Sequence, residues 1–205
     1  MKITEVSPQK NDPRRVNVYL DGEYSFSLDD VDALVLGIKA GREISEQELQ
    51  NLLFESQFGK AKSKAMDILS RKSISTASLK KELTDKGYEE IIADEVINEL
   101  TELGYLDDLA YAVMFLEMCH EKMWGIKKVR YELKQRGIDD FTIEDALCQM
   151  PLPTAEDIAQ AIGAKYGYED ISDIKTKQRI MRHFAQRGFD FSDIEKAISI
   201  YSKKD

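Results

Sequence analysis

Hydrophobic and polar residues alternate on both sides of Asp21-Gly22, with Val16, Val18 and Leu20 before the dipeptide and Tyr24, Phe26 and Leu28 after it. Period two marks a strand with one buried face, and Asp-Gly suits a two-residue type I′ turn because both of its positions need positive φ. A β-hairpin over residues 16–28 follows. Two strands alone are marginal, so this hairpin must pack on something or pair with another chain. The period then lengthens. Asp29 to Leu36 reads as a short helix, Gly37 and Gly41 break it, and Ser45-Glu46-Gln47-Glu48 is a capping box that opens the next helix.

From about residue 60 the pattern is helical throughout, and it repeats. Leu79, Leu83, Lys86, Gly87 and Tyr88 align with Val129, Leu133, Arg136, Gly137 and Ile138, and again with Ile180, Phe184, Arg187, Gly188 and Phe189. The copies lie 50 and 51 residues apart. An apolar pair four residues apart is one face of a helix. The glycine ends that helix in the left-handed conformation, and the apolar residue after it closes the cap. Helices Ala61–Ser70, Leu109–Met123 and Ala155–Tyr166 precede these segments. A third helix follows each, carrying Val96-Ile97, Ala146-Leu147 and Ala197-Ile198. The fold class is therefore mainly α, three tandem three-helix units behind a small β-hairpin and short helices. Expected bounds are 1–55, 56–108, 109–153 and 154–205. Units of about fifty residues bury little alone, so neighbours should stack.

Composition narrows the function classes. The chain has 205 residues, 42% hydrophobic and 33% charged, a balance that fits neither a disordered nor a membrane-embedded protein. The longest apolar run, Ala33 to Ile38, is far too short to span a bilayer, and the N-terminus lacks the apolar stretch of a secretory signal. A cytoplasmic location is expected. Two cysteines, Cys119 and Cys148, cannot build a disulfide framework, and two histidines, His120 and His183, leave little for metal or acid–base chemistry. No phosphate-binding loop, metal motif or nucleophile–base pair stands out, so neither an enzyme nor a cofactor is expected.

Charge alters this picture only when it is counted in blocks. The total is −9, which taken whole argues against a nucleic-acid binder. Yet residues 56–88, 122–136 and 174–187 each carry +5, while residues 89–121 carry −10 and 137–173 carry −8. The basic blocks coincide with the middle helix of each unit. Each can be a solvated face; stacked in similar orientation they form a broken basic stripe for a polyanion or an acidic protein groove. Lys86, Arg136 and Arg187 are equivalent and suit either the negative helix end or a partner. Trp124 reads as a buried anchor, and Asp107-Asp108 as the cap of the next helix.

The residues also resemble a known family. Ile68-Leu-Ser-Arg-Lys72, Gly104-Tyr-Leu-Asp-Asp108-x-x-Tyr111-Ala112 and Gly125-x-x-x-Val129-x-x-Glu-Leu133-x-x-x-Gly137-Ile138 are similar to the regulatory protein RecX family over roughly residues 60–190. The Asp-Gly-Glu-Tyr-x-Phe hairpin is similar to the extension of its longer, Gram-positive-type members. The resemblance implies tandem three-helix repeats that bind the RecA filament on single-stranded DNA and restrain its recombinase, ATPase and coprotease activities. Phe115-Leu-Glu117-Met118 departs from the pattern, since many members carry an arginine there. The expected partner-binding residues are Lys127, Arg130, Lys134 and Arg136 in the middle unit, Arg71, Lys72, Lys80, Lys81 and Lys86 in the first, and Arg179, Arg182 and Arg187 in the third. Direct contact with the DNA backbone and a generic helical scaffold are the alternatives, and a monomer is expected.

Overall fold

The computed structural model describes residues 1–167 and 173–203; the remainder of the expected third unit lies outside the described residues. The chain divides into two compact units, one of residues 1–74 and 79–106, the other of residues 75–78 and 107 onward.

The first unit opens with three antiparallel strands in chain order, β1 (Ile3–Pro8), β2 (Arg15–Leu20) and β3 (Glu23–Asp29). Asp21 and Gly22 turn between β2 and β3 with φ of 51° and 94°, as the type I′ reading requires. The hairpin expected over residues 16–28 is present as β2 and β3, and β1 extends it to a three-stranded sheet. β1 escaped the period-two reading because its register slips between Ile3 and Glu5, a bulge that breaks the alternation of the strand. After α1 (Asp30–Val35), the helix α2 (Glu46–Leu69) begins at the Ser45–Glu48 capping box. Its first half lays Leu49, Leu52 and Leu53 on Ile3, Val18, Phe26 and Leu28 of the sheet. Its second half supplies Ala61, Ala65 and Ile68 to a separate core with Leu79 and Leu83 of α3 (Thr76–Asp85) and Ile92, Val96 and Leu100 of α4 (Glu90–Glu102).

Where the sequence suggested one helix from residue 45 and another from Ala61, α2 is continuous across the expected boundary at 55/56. Gly59 costs the helix about 1 kcal/mol relative to alanine, and the apolar faces on either side of it hold the helix together.

The second unit holds two more three-helix groups, α5 (Asp108–Glu121), α6 (Ile126–Gln135), α7 (Asp140–Gln149) and α8 (Ala155–Tyr166), α9 (Ile174–Ala185), α10 (Phe191–Ser202). Val129, Leu133, Ile143 and Ala146 meet Ala112, Phe115 and Leu116 in one core. Ile180, Phe184, Ile194 and Ala197 meet Ile158 and Ile162 in the other. All three middle helices end alike. Tyr88, Ile138 and Phe189 donate their amides to the carbonyls of Leu83, Leu133 and Phe184 at 3.3, 3.1 and 3.2 Å, closing the double-bonded glycine cap.

The turn at Gly188 is also a joint. The Gly125 amide donates to Arg187 O (2.8 Å) and the Lys127 amide to Gly188 O (3.1 Å), so the free amides at the start of α6 are satisfied by the end of α9. A Cβ on Gly188 would lie 2.5 Å from the backbone nitrogen and Cβ of Lys128. Ser75–Ser78, which packs as part of the second unit, meets the end of α6 in the same manner. The Ser75 hydroxyl donates to Arg136 O at 2.6 Å.

Candidate partner-binding surface

Asp107 caps α5 as expected, accepting from the Ala110 amide at 2.9 Å. Asp108 does something else: it accepts from the amide and hydroxyl of Thr76 at 2.9 and 2.6 Å and so holds the start of α3. Trp124 is half-buried, edge-on to Phe115, with Lys128 over its ring at 3.9 Å. Cys119 is buried, and burial pushes its thiol up to about 11, which leaves it unreactive at neutral pH. Among the described residues no cluster of His, Cys, Asp or Glu could hold a metal ion, and no helix is long and apolar enough to cross a membrane.

The basic residues singled out from the sequence fall into three groups. On α6, Lys127 bridges Asp190, Arg130 bridges Glu144 and Lys134 bridges Asp140. The guanidinium of Arg130 in turn holds the Glu144 carboxyl below the usual carboxylate range. In the first unit, Lys72 bridges Glu82, and Lys80 bridges Glu90 (3.0 Å) and Asp94 (2.7 Å). Such exposed pairs are screened by solvent and contribute little, so a partner can displace them.

A second group also makes contacts within the fold. Arg136 bridges Glu132 at 2.7 Å with its guanidinium 4.6 Å from the Phe115 ring centroid. Arg187 donates to the Lys122 carbonyl. Arg179 lies 5.3 Å from the centroid of the Tyr166 ring.

The third group, Arg71, Lys81, Lys86 and Arg182, is exposed, with no ion pair among the described residues. Lys175 and Lys177 on α9 share that state, although the sequence reading passed over them. Their signal was present: α9 carries bases and no acid. Tyr131 was also passed over. It is 62% exposed and sits on α6 four residues from Lys127 and three from Lys134, which puts all three on one face.

Four family profiles match in chain order: the regulatory protein RecX N-terminal domain over residues 1–45, then the RecX first, second and third three-helix domains over 61–100, 107–147 and 155–198. The chain belongs to the RecX family. Similar relatives are the regulatory proteins RecX of Bacillus licheniformis, 32% identical over 96% of this chain and 76% of the relative, and of Bacillus pumilus, 33% identical over the same shares. The RecX of Caldanaerobacter subterraneus is 27% identical over 98% of this chain and all of the relative. A crystal structure of a regulatory protein RecX matches with a TM-score of 0.71 and 25% identity over 95% of this chain and 97% of that one. RecX from Lactobacillus salivarius shares the fold, with a TM-score of 0.60 and 22% identity over 71% of this chain and 97% of its own. These RecX relatives are named as regulatory proteins.

Proposed function

We propose that this RecX chain binds the RecA filament on single-stranded DNA and restrains RecA's recombinase, ATPase and coprotease activities, without turnover of its own. The observation that carries the reading is the run of four RecX domain matches from residue 1 to 198. The basic middle helices support it, because a filament offers both phosphates and acidic side chains to cations on exposed helix faces. On this reading the protein works in the cytoplasm as a monomer and without a cofactor. Its parts are an N-terminal module near residues 1–55 and repeats near 56–108, 109–153 and 154–205. Binding would use Lys127, Arg130 and Lys134 after exchange of their carboxylate partners. Arg71, Lys72, Lys80, Lys81, Lys86, Arg179 and Arg182 complete the set, with Arg136 and Arg187 positioning the turns.

The deciding experiment measures ATP hydrolysis and filament lifetime for purified RecA on single-stranded DNA as this protein is added. Slower hydrolysis and shorter or stalled filaments are expected, with ATPase and nuclease activity of the chain alone at background. A filament indifferent to saturating protein rejects the reading.

Direct contact with the nucleic acid is the second reading, favoured by Tyr131. An exposed ring flanked by two lysines can stack a base while the cations follow the backbone. Tyr131→Ala would then weaken binding to bare oligothymidine as much as binding to the filament.

A further inference from the structure

Gly87, Gly137 and Gly188 set a common register in which the repeats can be compared position by position. In the first repeat Lys80 on the middle helix bridges Glu90 and Asp94 on the third. In the second repeat the equivalent Arg130 bridges Glu144, and Asp140, the equivalent of Glu90, takes Lys134. The third repeat has Met181 where the others have Lys80 and Arg130, and Phe191 where they have Glu90 and Asp140. Both halves of the Lys80–Glu90 pair have become apolar, while Glu195 keeps the carboxylate of Asp94 and Glu144 with no cation at the Lys80 and Arg130 position to meet it.

The consequence is an open groove lined by Gln178, Met181, Arg182, Ala185, Gln186 and Phe191. Phe191 is 61% exposed at the first position of α10, where a phenylalanine contributes nothing to helix capping. The charge around the groove is largely of one sign. Lys175, Lys177 and Arg182 are exposed without an ion pair among the described residues, whereas Asp190 and Asp193 at the start of α10 are engaged by Lys127 and Lys196. Glu195 on α10 and Asp173 at the start of α9 are the carboxylates that remain among the described residues, and Asp173 is taken up by the amide and hydroxyl of Thr176.

We propose that this groove docks an acidic protein segment with an apolar anchor residue. The anchor seats among Met181, Ala185 and Phe191, and carboxylates flanking it meet Arg182 and the exposed lysines. Nucleic acid would use the cations and stack a base on Phe191, but it has no aliphatic group to seat against Met181 and Ala185, whereas a peptide anchor uses the whole floor. The proposal rests on the reading that α9 faces a partner, and its test omits RecA so that the two can fail separately.

The probe is a fluorescein-labelled peptide of glutamates and aspartates around a central Leu-Phe pair, titrated by anisotropy with the full chain. Two controls accompany it: the same peptide with Ser-Ser at the centre, and labelled oligothymidine. The intact chain is expected to bind the Leu-Phe peptide at least about tenfold more tightly than the Ser-Ser peptide. M181K/F191E rebuilds the ion pair of the first repeat, so it should fold normally and lose at least about tenfold in affinity. R182E, a surface change, should weaken binding independently. Peptide binding that is absent, indifferent to Ser-Ser, or unchanged in both folded variants overturns the proposal. So does oligothymidine binding that falls by the same factor in M181K/F191E. Restraint of RecA is measured on the same variants. If it persists while peptide binding never appears, the groove is rejected and the RecA reading stands; the converse rejects the RecA reading alone.

Discussion

Helices α6 and α9 are built to one pattern yet present different surfaces. Each buries an apolar pair, Val129 and Leu133 or Ile180 and Phe184, and each ends on Arg-Gly. The outward cations of α6 are met by carboxylates of α7 and of the α10 cap: Glu144 on Arg130 and Asp140 on Lys134 from α7, and Asp190 on Lys127 from the start of α10. Those of α9 at Lys175, Lys177 and Arg182 are not. In the common register Lys175, Lys177 and Arg182 stand at the places of Trp124, Ile126 and Tyr131, away from those of Lys127, Arg130 and Lys134, and the third helix starts Asp139-Asp140 behind α6 but Asp190-Phe191 behind α9. Equal net charge on two helices therefore does not mean equal potential, since the neighbour decides how much of it is free.

The largest effect should come from breaking the joint between the two helices. Gly188→Ala forces a side chain into a φ of +88° and against the backbone of Lys128, so a cost of about 3 kcal/mol or more is expected. Gly87 has a φ of +91° but open space around its Cβ direction, and Gly87→Ala should cost only about 1 kcal/mol. Denaturant unfolding of both variants checks this, and equal losses would show that the close approach contributes nothing.

A second effect separates free from neutralised cations. Binding to the RecA–single-stranded DNA filament is measured across salt concentrations for K175Q/R182Q and for K127Q/R130Q/K134Q. Each free cation in contact with phosphate adds about 0.7–0.9 to the salt slope. On the reading in which these helices meet phosphate, the α9 pair should lower the slope by about 1.5 and the α6 triple by less than about 1 despite its extra charge, whereas a peptide-binding α9 would leave the slope nearly unchanged. A greater drop for the α6 triple would break the comparison.

A smaller effect lies where α6 has Glu132 and α9 has His183. Glu132 pairs with Arg136, whereas His183 lies near Lys165 and Arg187. Burial, then the two cations, hold the His183 imidazole below its ordinary value. The folded chain thus refuses a proton that the unfolded chain accepts. This contribution to stability is complete above about pH 6.5 and is lost as pH falls toward the depressed folded value. H183Q should flatten the dependence of stability on pH across that window; an unchanged slope would reject the assignment.

The smallest effect is at Glu144. Arg130 depresses its carboxyl, so the pair stabilises the fold above the ordinary carboxylate value and is lost as pH falls through the folded one. NMR titration should show the Glu144 midpoint returning toward the usual range in R130M. A midpoint that does not move would mean that the pair does not persist in solution.

Much of the fold was legible because it is encoded locally. The Asp21-Gly22 turn, the Ser45 capping box, the apolar pairs four residues apart and the glycine caps each depend on neighbours within about one helical turn, and all are present in the structure. The strand β1 was missed because a bulge breaks its alternation, and the continuity of α2 was missed because its two halves pack into different cores, which gives each the pattern of a separate helix. The candidate surface was legible as blocks of charge and not as individual residues.

Sequence by itself determined the three repeated units and where their basic helices lie. Tertiary structure alone decided which of those charges are free, that Asp108 serves Thr76, that Arg136 and Arg187 belong to the turns, and that Phe191 and Met181 make a groove. The physical reason is reach: a helix and its caps are set by residues a few positions apart, whereas the neutralisation of a cation and the exposure of an apolar side chain depend on atoms that only packing brings together. Ser75 and Arg136, 61 positions apart, make the point in one hydrogen bond.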